Sequence, residues 1–305
     1  MFVKKSRVFI FVLSLILLSF LINSLIPEED RTIDAMSEKP IKPNTYYKQI
    51  DIISTNNFNS DIGDNINNST TVIEHYISQN PAGTLLINTG DNYQSGFTLP
   101  ASYNKPTLYL GNYLEYTANN KFNLSQSKFK KIIEKTDYQF LAASLYNKDT
   151  GKPVEYLKPY LIEEVNGIKV GLIGIFIPSI IEDNNLVTKD SIMLINQIVP
   201  QIRAEGADLV ILIAHTLKEE KSKNDQNSQR LIEIAKQLQD VDGIISGGQQ
   251  QAIATIIQEI PLIAGYQVGH LRFLINTETR EVNRIIPNIY GVKTRVLNAL
   301  LDNDA

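Results

Sequence analysis

The sequence predicts an α/β domain in which a sheet is covered on its faces. Three observations carry that expectation. Short apolar runs recur between residues 49 and 290. Segments of helical period lie between them. The chain has 305 residues, 43% of them hydrophobic and 20% charged, enough for one large buried core or two modest ones. Continuous apolar runs mark strands covered on both sides, and strands interleaved with helices mark a layered α/β arrangement.

Taken in order, residues 50–54 read as a buried strand and 71–78 as an amphipathic helix. Residues 84–88 form a strand that runs into Thr89, Gly90 and Asp91. Residues 128–134 are helical and 139–143 extended. The runs 159–165 and 168–176 flank Asn166-Gly167, a dipeptide suited to the positive φ angles of a two-residue hairpin. A helix over 192–203 precedes the run 209–214, which ends at His215. A helix over 230–238 leads to a strand over 243–246 that ends in Gly247-Gly248. Strands over 262–265, 271–276 and 282–287 close the series, with a terminal helix over 296–301. Ligands in such folds bind where strands give way to loops. The candidate positions are therefore 55–59, Gly90-Asp91, Asn119-Asn120, His215 and 247–251.

The N-terminus opens with Lys4, Lys5 and Arg7, followed by an uncharged run over 8–26. At 1.5 Å per residue about 19 residues just span the roughly 30 Å bilayer core. The run ends in Pro27-Glu28-Glu29-Asp30 without a small-residue cleavage site. The expectation is a basic cytoplasmic segment over 1–7, an uncleaved transmembrane signal-anchor over 8–26 and a Pro-containing tether over 27–48. A domain over 49–290 and a tail over 291–305 follow. The positive-inside bias puts the domain outside the cytoplasm. An inner-membrane protein facing the periplasm is the expectation, with a cleaved periplasmic form as the alternative.

Composition excludes other classes. With 29 Lys and Arg against 33 Asp and Glu, the net charge of −4 offers no field for a polyphosphate backbone, so nucleic acid is not an expected partner. The absence of cysteine removes disulfides, thiolate metal sites and thiol nucleophiles. Only His75, His215 and His270 supply imidazole.

Five segments in order point further. They are Thr55-Asn56-Asn57-Phe58-Asn59; Asn88-Thr89-Gly90-Asp91-Asn92-Tyr93-Gln94; and Val165-Asn166-Gly167-Ile168-Lys169-Val170-Gly171-Leu172-Ile173-Gly174. The last two are Ala204-Glu205-Gly206-Ala207-Asp208-Leu209-Val210, ahead of His215, and Val241-Asp242-Gly243-Ile244-Ile245-Ser246-Gly247-Gly248. Together they resemble the catalytic domain of 5'-nucleotidase-like metallophosphoesterases, the calcineurin-like superfamily, over most of 49–290. The resemblance implies a two-sheet αββα sandwich. It also implies two metal ions between the loops, sharing a bridging water that acts as nucleophile. The family's ligands are an Asp and a His in the first motif, a bridging Asp in Gly-Asp and an Asn in Gly-Asn-His-Glu. A His after an apolar strand and two His in Gly-His-x-His complete the set.

The chain departs from that pattern. Asn57 and Asn59 stand at the first-motif positions, and Asp91 remains at the bridging position. Ala118-Asn119-Asn120-Lys121-Phe122-Asn123 matches the segment of the catalytic His, keeping Asn119 but placing Asn120 where that His belongs. Gly111-Asn112-Tyr113 is a rival alignment, shorter in its spacing from Asp91 and equally without the His. His215 falls at a metal-binding His, and Gly248-Gln249-Gln250-Gln251 replaces Gly-His-x-His. Asp91, Asn119 and His215 are thus kept, while Asn57, Asn59, Gln249 and Gln251 replace the other ligands. Carboxamides bring neither negative charge nor imidazole nitrogen, and one carboxylate cannot balance two divalent ions. The general acid is missing as well.

The resemblance therefore implies a pseudoenzyme, with no catalytic residue and no cofactor expected beyond a weakly held manganese or zinc ion. Its partner would be an unidentified protein or a small polar ligand, besides the membrane. Several readings stay open. Asn makes up about a tenth of the chain, so the substitutions fit compositional drift as well as an amide-lined pocket. Asp91 fits a tight turn as well as a ligand, and His215 fits a packed strand end as well as a residual ligand. His75 and His270 read as structural or exposed. Little sequence follows Pro287, so the family's nucleoside-gripping second domain, and with it nucleotide specificity, is not expected.

Overall fold

Strand β7 (Ile168–Ile177) is buried at every position except Lys169, so both of its faces must be covered. In the computed structural model, which describes residues 46–56, 64–89, 110–111, 139–177, 186–216, 226–248, 252–265 and 267–290, that covering comes from two sides. The other elements are β1 (Tyr47–Asn56), α1 (Asp64–Gln79), β2 (Thr84–Asn88), β3 (Leu110–Gly111), β4 (Gln139–Phe140), β5 (Leu145–Asn147) and β6 (Tyr160–Val165). After β7 come β8 (Leu186–Thr188), α2 (Ser191–Ala204), β9 (Leu209–Thr216), α3 (Gln226–Ala235) and β10 (Gly243–Gly247). Strands β11 (Ile253–Ile257), β12 (Ile260–Ala264), β13 (Gln267–Asn276) and β14 (Val282–Tyr290) complete the series.

Among the described residues these strands form a four-stranded sheet in the order β14-β13-β1-β2 and a six-stranded sheet in the order β11-β12-β10-β9-β7-β6. The pairs β3-β4 and β5-β8 stand beside them. β1 and β2 are parallel, as are β7, β9, β10 and β12. One apolar layer joins the inner faces of the two larger sheets. Ile50, Ile52, Leu85, Ile87, Leu271 and Phe273 of the first meet Ile168, Val170, Leu172, Leu209, Ile211 and Ile245 of the second. The opposite face of the six-stranded sheet, through Ile173, Ile175, Val210, Leu212 and Ile244, packs on Ile195, Val199 and Ile202 of α2 and on Leu231, Ile234 and Ala235 of α3. A Cβ on Gly171 would come within 2.3 Å of Ile202 Cγ2, so only glycine lets α2 close on β7. Asp190 caps α2 by accepting from Met193 N at 3.0 Å, and Gly206 at φ 92° turns the chain out of it.

The expected layering thus matches the observed elements, with differences at their edges. β1 begins at Tyr47, inside the expected tether. α1 begins seven residues ahead of the expected 71–78, because its first turns are polar and carry no apolar stripe. α3 spans Gln226–Ala235 rather than 230–238, and β4 stops at Phe140 rather than 143. The β11-β12 hairpin was not anticipated. Its turn is Gln258-Glu259, both at positive φ (46° and 69°), without the Asn or Gly that usually marks such a turn. The expected transmembrane helix over 8–26, the helices over 128–134 and 296–301, the tether up to residue 45 and the tail from 291 lie outside the described residues. No helix among the described residues is long and apolar enough to cross a membrane.

α1 covers the outer face of the four-stranded sheet, where a polar centre interrupts the apolar packing. Asp51, at 0% exposure, accepts from His270 Nε2 at 2.7 Å and Arg272 Nε at 2.8 Å on one carboxylate oxygen. Its other oxygen accepts from Asn80 Nδ2 at 2.9 Å and Gln49 Nε2 at 2.6 Å. The Tyr76 ring of α1 lies 4.2 Å from the His270 ring. His270, expected to be structural or exposed, is buried and paired with a carboxylate. Burial alone would raise the Asp51 pKa. The His270 hydrogen bond and charge, with Arg272 beside them, outweigh that and hold the carboxyl well below the usual carboxylate range.

Removing this carboxylate leaves two buried cationic or polar side chains without it, so Asp51→Ala is expected to lower unfolding free energy by about 3–5 kcal/mol in urea titrations. Because the folded pKa lies below the unfolded value of about 3.9, the Asp51 contribution is intact above roughly pH 4. It is lost as the pH falls from there towards 2. Unfolding midpoints measured against pH should fall on that acid limb, and Asp51→Asn should flatten it.

Candidate functional site

The parallel strands of both sheets end on one side, and their buried polar residues gather there. Ser54 and Thr55 lie at the end of β1, Asn88 and Thr89 at the end of β2, His215 near the end of β9 and Ser246 near the end of β10. Elsewhere these strands present mostly apolar side chains to the core. In register, Thr55 sits beside Asn88, and His215 lies between Phe176 of β7 and Gly247 of β10.

Local hydrogen bonds hold these ends. The Thr55 carbonyl accepts from Thr89 N at 2.9 Å and from Thr89 Oγ1 at 3.1 Å, fastening the chain beyond β2 to the last residues of β1. His215, only 2% exposed, reaches from the six-stranded sheet to the other one and donates from Nδ1 to the Thr89 carbonyl at 2.7 Å. A carbonyl can only accept, so Nδ1 carries a proton and donates it. Imidazoles that bind metal through Nε2 are commonly held in this way, by a carbonyl behind the other nitrogen. Beyond β10, Gly248 takes φ 83°, a turn that glycine makes without strain.

Of the residues singled out from the sequence, the structure places His215 at this edge. Asn57, Asn59, Asp91, Asn119, Asn120, Gln249 and Gln251 lie outside the described residues. Asn56, Thr89 and Gly248, the last described residues before three of the undescribed stretches, stand at the strand ends. Among the described residues no group of three or more His, Cys, Asp or Glu could hold a metal ion. The part of Thr89 was not legible beforehand, because it acts through its carbonyl, which any residue type carries. Ser54 and Ser246 could have been found as polar residues closing otherwise apolar runs.

No family model matches the chain. A trifunctional nucleotide phosphoesterase, YfkN of Bacillus subtilis, is 28% identical over 209 residues, covering 58% of this chain and 14% of its own length. The cell wall protein Lmo0130 of Listeria monocytogenes is 31% identical over 103 residues, 30% of this chain and 13% of its own. The chain therefore spans about a seventh of the length of these relatives. The solved calcineurin-like phosphoesterase YfkN superposes with a TM-score of 0.61 at 20% identity, covering 79% of this chain and 90% of that one.

The chain has the calcineurin-like phosphoesterase fold.

A second solved structure agrees. The Haemophilus influenzae NAD nucleotidase gives a TM-score of 0.55 at 17% identity, over 80% of this chain and 50% of its own. A 5'-nucleotidase precursor from Thermus thermophilus superposes with a TM-score of 0.56 at 12% identity, over 79% of this chain and 54% of its own.

Within this fold, the cross-sheet bond from His215 is a buried one. His215→Ala leaves the Thr89 carbonyl without its imidazole donor and is expected to cost about 1–3 kcal/mol in urea unfolding. His75→Ala, on the half-buried face of α1, should stay within about 0.5 kcal/mol of the parent.

Proposed function

We propose that the chain is a membrane-anchored, extracytoplasmic protein that keeps the phosphoesterase fold, has lost hydrolysis and acts as a binding or scaffolding module. One observation carries this reading. At the positions that match the family's seven metal ligands, one carboxylate and one imidazole remain beside carboxamides, and Asn120 stands at the catalytic His. Two divalent ions held close together need several anionic or imidazole donors, and an amide oxygen supplies neither. This donor set does not fit a dinuclear centre. A single manganese or zinc ion held weakly by Asp91, Asn119 and His215 is the most it would support.

A second reading, a reduced hydrolase using one such ion, is favoured by the Nδ1–H tautomer of His215. The two are separated by activity. The full chain, supplied with manganese or zinc, should hydrolyse p-nitrophenyl phosphate and a 2',3'-cyclic nucleotide no faster than the combined Asp91→Ala and His215→Ala variant. Metal-dependent turnover that disappears in Asp91→Ala would overturn the proposal and establish the reduced hydrolase.

The extracytoplasmic part of the proposal is supported by the apolar run 8–26 behind a basic flank, and by partial similarity to a cell wall protein. Fractionation tests the anchor. The full chain should stay with membranes through a carbonate wash and leave them only in detergent. A mature N-terminus beginning past residue 26 would instead show the cleaved form.

A further inference from the structure

Three ionisable side chains meet in the Asp51 centre, and one of them can change charge near neutral pH. Asp51 is held well below the usual carboxylate range and stays anionic there. Arg272 stays cationic. His270, 2% exposed, is the group that can titrate. Its Nε2 donates to Asp51 Oδ1 at 2.7 Å, and Arg272 Nε donates to the same oxygen at 2.8 Å. A second proton, at Nδ1, switches the centre from net neutral to net positive.

The groups around this imidazole come from three elements besides its own strand. β1 contributes Asp51, and β13 itself contributes Arg272. β14 places uncharged Asn288 opposite His270 in register, with Arg284 further along that strand. α1 contributes Tyr76, whose ring lies 4.2 Å from the His270 ring and 5.6 Å from the Arg272 guanidinium carbon. The other imidazole of α1, His75, meets the Tyr76 ring edge-on at 5.2 Å, and Glu74 is exposed.

Tyr76 belongs to the last turn of α1, and Asn80, just past the helix, donates to the second Asp51 oxygen at 2.9 Å. The end of α1 is therefore held on the sheet by the centre itself. An aromatic ring attracts a cation placed against it, and a neighbouring carboxylate favours that cation further. Burial opposes charge on the His270 ring. The carboxylate at 2.7 Å, where little water screens it, outweighs that cost.

We propose that the Asp51 centre is a proton-dependent latch on α1: with His270 doubly protonated it holds the end of the helix on the sheet, and loss of that proton loosens it. Linkage requires the converse, that a seated α1 favours the charged ring. His270 should then titrate above its ordinary value of about 6.5. The hold is full below that value and declines as the pH rises through the folded-state midpoint. α1 is joined to β1 through residues 57–63, the stretch that carries Asn57 and Asn59. The latch does not depend on whether the chain binds metal or hydrolyses anything.

The full chain has three histidines, so carbon-13 labelling at histidine gives three ring signals in mild detergent. His75→Gln and His270→Gln assign them. Amide exchange of the last turn of α1, corrected for the intrinsic rate, is followed over the same pH range. The His270 midpoint should lie above about 6.5 and move lower in Tyr76→Leu. Protection of α1 should fall at least about threefold as the pH crosses that midpoint, in the parent and in His75→Gln alike. In His270→Gln it should stay flat, and the parent titration decides alone if that variant does not fold. A His270 ring that titrates below about 6.5, or one that keeps a single charge state from about pH 5 to 9, would overturn the proposal. So would a loss of protection that persists unchanged in His270→Gln.

Discussion

The apolar layer between the two larger sheets sets the rest of the structure. Because β1 and β2 in one sheet and β7, β9 and β10 in the other must bury their inner faces against each other, their ends are brought to one side. Side-chain alternation then leaves no choice about which residues face the core. Ile50 and Ile52 point into the layer, which turns Asp51 to the other face, under α1. The buried Asp51-His270-Arg272 centre follows from that geometry. A carboxylate facing away from the apolar layer is still covered by a helix, so it must find partners on the neighbouring strand, and β13 supplies two at successive same-face positions.

The same constraint explains what could be read from the sequence. β7, β9 and β10 are covered on both faces, so they appear as unbroken apolar runs, and the Asn166-Gly167 hairpin announces itself. The first turns of α1 and the Gln258-Glu259 turn escaped because nothing in their residue types marks them. At the turn, the paired strands rather than local preference set the backbone. Motif segments 204–210 and 241–248 were legible for a structural reason. Arg203 donates to Asp242 at 2.6 Å and to the carbonyls of Ala207, Asp208 and Asp240, while Val210 N donates to the same Asp242 oxygen at 2.6 Å. Burial raises the Asp242 pKa and Arg203 opposes it, so this knot is worth keeping only as an intact pair. It lies where the strands begin, opposite to the candidate site.

At that site, residue types were readable and connections were not. His215 stood out from the sequence because imidazole is scarce in this chain and this one follows an apolar strand. Its partner did not, since the Thr89 carbonyl is a backbone group whose approach depends on two sheets meeting. What the bond decides is the tautomer, and the tautomer decides what the ring can do. An imidazole held as a donor at Nδ1 serves as an inter-sheet tie and is also the arrangement in which metal-binding imidazoles are commonly held. One residue therefore accommodates both open readings, and its neighbours' chemistry separates them.

The described contacts at the strand ends lie apart from the interactions that hold the strand bodies. The sheet-to-sheet layer, the Asp51 centre and the Arg203 knot draw on residues in the strand bodies or at their beginnings. The ties described at the strand ends, from Thr89 to Thr55 and from His215 to Thr89, use backbone groups and one imidazole, and none requires a carboxylate or a metal. The apolar layer and the polar contacts at the strand ends are thus built from different parts of the same strands.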